Sequence, residues 1–80
     1  MTSQELATLL KDDYKSSNIY FVVGFKKADL ERYDYFLERV FSNEDQANDY
    51  KDGYDDDAVF GFDVWWKDGD EILSYGDRII

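Results

Sequence analysis

Residues 28–41, ADLERYDYFLERVF, carry two competing periods, and the choice between them decides the fold. Leu30, Tyr33, Leu37 and Val40 recur at helical spacing. Within the same stretch, YDYFLERVF is dense in the aromatic and β-branched residues that suit a pleated, half-buried surface. A strand over 33–41 is preferred because the run ends at Ser42, a residue type that starts helices. Lys26 and Lys27 then fall in the loop that precedes it. The alternative is one long helix over 29–52.

On the N-terminal side, IYFVVGFK at 19–26 is apolar at both parities, which marks a central strand covered on both faces. Ahead of it, Thr2 followed by Glu5 forms a capping box, and Leu6, Leu9 and Leu10 make a helical stripe, so a helix is expected over 3–14. Lys15, Ser16, Ser17 and Asn18 end it with turn formers.

On the C-terminal side, Ser42 reads as the cap of a second helix over 43–52. Glu44 and Asp45 suit its positive first turn, Ala47 and Tyr50 face inward with a weaker contribution from Tyr54, and Gly53 stops it. A strand is expected over 58–66, where the even positions Ala58, Phe60, Phe62, Val64 and Trp66 line one apolar face. Asp68 and Gly69 form a two-residue turn that sets Val64 opposite Leu73, Phe62 opposite Tyr75 and Trp65 opposite Ile72. The last residues either continue that strand or cover the core. The fold class is therefore α+β: one small domain, ordered α-β-β-α-β-β, with a largely antiparallel four-stranded sheet and two helices packed on one face of it.

Composition narrows the functions. With no Cys and no His, the chain lacks thiolate chemistry, the usual general base and the commonest metal ligand. At 80 residues it buries roughly 60% of its unfolded surface, too little to enclose a substrate. A non-enzymatic role without cofactor is expected. Asp63 and Asp68 as an acid–base pair is a minor alternative. No basic leader and no long apolar run is present, so a cytoplasmic chain with no membrane association is expected, in the host cell if a phage encodes it. Nine basic against nineteen acidic residues give a net charge of −10, which disfavours direct nucleic-acid contact and favours a basic partner. Fifteen aromatic residues argue that so acidic a chain nevertheless folds.

The acids concentrate in SNEDQANDYKDGYDDD at 42–57, against a single base, Lys51. Asp45, Asp49, Asp52 and Asp56 fall at i, i+4, i+7 and i+11, one face of a helix. Carboxylates three or four positions apart stand roughly 5 to 6 Å apart along the axis. Phosphates recur on a similar scale, about 3.4 Å per strand of duplex. The row continues into Asp55, Asp56 and Asp57, with Asp12, Asp13, Asp63, Asp68, Asp70 and Glu71 extending the field; the competing reading is a solvated acidic face. A calcium site in 52–57 or 68–71 is a weaker reading, because neither stretch has the alternating ligands and distal Glu of an EF-hand loop.

Tyr50, Tyr54 and Trp65 are the candidate aromatic anchors. Trp65 and Trp66 point to opposite faces of one strand, so either one is exposed or both faces are covered.

Small size, acidity and abundant aromatics together resemble, as a class, the inhibitors that phages and mobile elements direct against host nucleases, among them anti-CRISPR, anti-restriction and glycosylase-inhibitor proteins. That resemblance implies a nucleic-acid mimic that blocks the basic groove of a nucleic-acid-binding protein or nuclease complex, acting as monomer or homodimer. Two further readings stand beside it: an immunity or antitoxin protein against a basic toxin nuclease, and an adaptor module that binds through exposed aromatics.

Overall fold

The N-terminal helix α1, Ser3–Asp13, begins where the capping box places it. Glu5 N–H donates to Thr2 Oγ1 at 3.1 Å, and Thr2 N–H donates to the Glu5 carboxylate at 2.9 Å. The structure, a computed structural model, describes residues 1–54, 60–74 and 77–80. Leu6, Ala7 and Leu10 are buried, whereas Leu9 is 46% exposed. At 100° per residue the buried stripe centres between Leu6, Ala7 and Leu10, and Leu9 lies about 100° to its side.

Among the described residues the strands are β1 Ile19–Lys27, β2 Tyr33–Phe41, β3 Phe60–Asp68, β4 Glu71–Ser74 and β5 Asp77–Arg78. They form one antiparallel sheet in the order β2-β1-β3-β4-β5. The sheet thus has five strands rather than four. The fifth is a short return of the tail, where Ile79 N–H donates to the Ile72 carbonyl at 2.8 Å and Ile72 N–H donates to the Ile80 carbonyl at 3.3 Å. Ile79 and Ile80 thereby pack on the core instead of facing water.

The second helix, α2, spans Glu44–Asp52. The two helices lie on opposite faces of the sheet, not on one face. α1 packs on Phe21, Val23, Trp65 and Ile72, while Ala47 of α2 packs on Val22, Phe62 and Val64. The reason is in β1, whose Phe21 and Val23 point one way and whose Val22 points the other, all fully buried. One helix covers one parity only.

Residues 33–41 are strand, as preferred over the long helix. β2 pairs with β1 along its length, with a register shift that sets Val22 opposite Arg39 and Val23 opposite Leu37, leaving Glu38 as the extra residue of a bulge. Lys26 and Lys27 belong to β1 rather than to a loop, because the ladder continues to Lys27 opposite Tyr33. The connection is residues 28–32, closed by Ala28 N–H donating to the Arg32 carbonyl at 2.9 Å.

The β3–β4 register also differs from expectation. The turn residues are Gly69 and Asp70, and Asp68 pairs with Glu71, so Trp66 faces Leu73 and Lys67 faces Ile72. Gly69 has φ +60°, and glycine at the first turn position is what a two-residue turn of this kind requires. The slip from the expected pairing is two residues, so every side chain keeps its face. Ala58 and Val59, expected in this strand, and Tyr75, expected opposite Phe62, lie outside the described residues.

Candidate partner-binding surface

α2 is capped by Asn43, one residue after the expected Ser42, with Gln46 N–H donating to Asn43 Oδ1 at 3.2 Å. Ala47 is its one fully buried residue. At 100° per residue, Asp45, Asp49 and Asp52 lie about 140–160° around the axis from Ala47, on the outward side. All three are exposed. Among the described residues none of these carboxylates takes part in an ion pair or hydrogen bond. Lys51, the base within the run, has a partner within the chain. α2 ends at Asp52, with Gly53 N–H donating to the Asp49 carbonyl at 3.2 Å. Asp55, Asp56 and Asp57 lie outside the described residues.

Tyr50 and Tyr54 sit beside this row. Their rings lie 5.3 Å apart, and both contact Phe62, Tyr54 at 5.0 Å and Tyr50 at 6.2 Å. Tyr50 is half-buried and also touches Phe41 at 5.8 Å, while Tyr54 remains 49% exposed. The Tyr50 hydroxyl donates to Glu38 Oε1 at 2.9 Å, and the Arg39 guanidinium lies 5.4 Å from the Tyr50 ring centre. Hydrogen bonding with Tyr54 and then with Glu38 pushes the Tyr50 phenol up to about 12. The Glu38 and Arg39 contacts had no signal in the sequence, since the β2 bulge that turns both residues toward α2 depends on pairing with β1.

Trp65 is not a surface anchor. It is 1% exposed in the core under α1, and its indole N–H donates to Asp63 Oδ2 at 3.1 Å. It pairs with Phe21 across β1, so the face it points to is the one α1 covers. Trp66, on the opposite face, is half-buried.

Asp63 is engaged as a structural acceptor. It takes the Trp65 indole, the Ser74 hydroxyl at 2.9 Å and the Val64 N–H at 3.0 Å. Asp68 sits on the other parity of β3, at its exposed end, so the two carboxylates do not form an acid–base pair. Of the remaining acids, Asp12, Asp13, Asp68 and Asp70 are exposed and Glu71 is half-buried. Residues 68–71 form the tight β3–β4 turn, and among the described residues no group of three or more acidic side chains is placed to hold a metal; half of the other calcium stretch, 55–57, is outside them. A cleft of about 330 Å³ between the start of α1 and the β1–β2 connection is lined by no residue of α2.

Among the described residues no helix is long and apolar enough to cross a membrane. No family model, curated protein or solved structure matches the chain.

Proposed function

We propose that this protein is a non-enzymatic inhibitor that binds the basic nucleic-acid groove of another protein, with its carboxylates standing where phosphates would. The observation that supports this reading is the outward row Asp45, Asp49 and Asp52 on a helix whose opposite side is anchored to the sheet, in a chain of net charge −10. A helix holds the carboxylates at fixed spacing, so little ordering cost remains when arginine and lysine side chains meet them. Charge of one sign also steers a basic partner inward and makes the on-rate fall with salt. The burial of Trp65 weakens the competing reading as an aromatic-anchored adaptor.

The test is capture from host lysate with the native chain and with Asp49→Lys/Asp52→Lys as baits. The native bait is expected to retain a nucleic-acid-binding protein that duplex DNA or raised salt releases. The variant is expected to lose it while its circular dichroism stays native-like and its melting temperature does not fall. A partner held equally by both baits and indifferent to DNA would overturn the proposal.

A further inference from the structure

We infer that this surface selects arginine over lysine in its partner, because Tyr54 presents a half-exposed aromatic ring to a guanidinium at the C-terminal end of the acidic row. The inference rests on the acidic-row reading above. Tyr54 is 49% exposed, yet its ring is braced by Phe62 at 5.0 Å and Tyr50 at 5.3 Å. A ring already held in place loses little freedom when something stacks on it. It stands two residues beyond Asp52, at the end of α2 where the helix carbonyls carry partial negative charge. Exposed Asp49 and Asp52, without a counter-ion among the described residues, supply the charge complement.

The chain makes the same kind of contact once within itself. The Arg39 guanidinium lies 5.4 Å from the Tyr50 ring centre, and Glu38 is bonded to the Tyr50 hydroxyl. Arginine, tyrosine and carboxylate are thus already combined one helical turn before Tyr54. Lysine satisfies only part of such a site: its ammonium is a compact, strongly hydrated point charge, whereas a guanidinium is planar, weakly hydrated and stacks. An arginine on an exposed ring gains about two- to fivefold in affinity from the stack.

The experiment titrates fluorescently labelled oligo-arginine and oligo-lysine peptides of equal length against the native chain, Tyr54→Leu, Tyr54→Phe and Asp49→Asn/Asp52→Asn, followed by anisotropy at low and raised salt. The native chain is expected to bind the arginine peptide several-fold more tightly. Tyr54→Phe should keep that preference and Tyr54→Leu should lose it, while Asp49→Asn/Asp52→Asn weakens both peptides together. Equal affinity for the two peptides, or a preference that survives in Tyr54→Leu, overturns the arginine inference and leaves the acidic row standing. Failure of both peptides to bind at low salt overturns the inference and the acidic-row reading together.

Discussion

Gly24 shows how much one missing side chain settles. A Cβ built there would lie 2.2 Å from Cζ of Phe36, so the Phe36 ring is seated directly on the Gly24 backbone. That seat also holds Phe36 near Phe60, with ring centres 6.2 Å apart and planes 24° from parallel. Gly24→Ala is expected to displace the ring and cost about 1–3 kcal/mol by urea denaturation. In a double-mutant cycle, Gly24→Ala and Phe36→Ala should cost less together than their sum; simple additivity would show that the ring does not rest there. Tyr50 carries the second prediction at this scale. Its phenol titrates near 10 in the unfolded chain but is raised to about 12 in the fold, first by hydrogen bonding with Tyr54 and then with Glu38. The unfolded state therefore ionises first. The contribution is whole below about pH 10 and is lost as pH climbs toward 12. Melting temperature should fall through that window, and the fall should be shallower in Tyr50→Phe. Tyr35, raised chiefly by burial and then by the charge of Asp63, pulls in the same direction, so some slope stays.

At the scale of elements, α2 is the least secured. With Ala47 as its one fully buried residue, it depends on local signals more than α1 does with Leu6, Ala7 and Leu10. Its cap therefore matters. Asn43→Ala is expected to destabilise the protein by about 1 kcal/mol, whereas Ser42→Ala should stay within about 0.5 kcal/mol, both from denaturant midpoints. Equal effects at the two positions would place the cap wrongly. The existence of α2 was legible because the acids of its first turn and Gly53 are local features; which of the adjacent residues caps it was not, since Ser42 and Asn43 are both good cap types. β2 was legible from residue type, while its bulge at Glu38 was not, because a bulge is a property of two paired strands.

For the whole molecule, nineteen acids against nine bases make self-repulsion part of the folded state's energy. Salt screens it over about 10 Å at 0.1 M. The melting temperature is expected to rise as sodium chloride is added. Asp49→Lys/Asp52→Lys changes two charges from −1 to +1 and takes the net charge from −10 to −6, so it should melt higher than the native chain at low salt and respond less to salt. A native melting temperature that is flat in salt would mean the acidic surface is not a source of strain. The variant that removes partner binding is thus expected to be no less stable, which separates loss of function from loss of fold.

What the sequence determined by itself is local and periodic: the capping box of α1, the strand character of 19–26, 33–41 and 60–66, the helical row of Asp45, Asp49 and Asp52, and the charge. Each depends on neighbours within a few residues, and elementary sterics and spacing decide it. Only the tertiary structure decided that the helices take opposite faces, that Trp65 is core and Trp66 half-open, that the β3–β4 turn sits at Gly69 and Asp70, and that Glu38 and Arg39 meet Tyr50. These depend on which strand lies beside which and on what covers each face. β1, apolar on both parities, forces cover on both sides; the choice of which helix goes where comes from long-range packing, which no local period encodes.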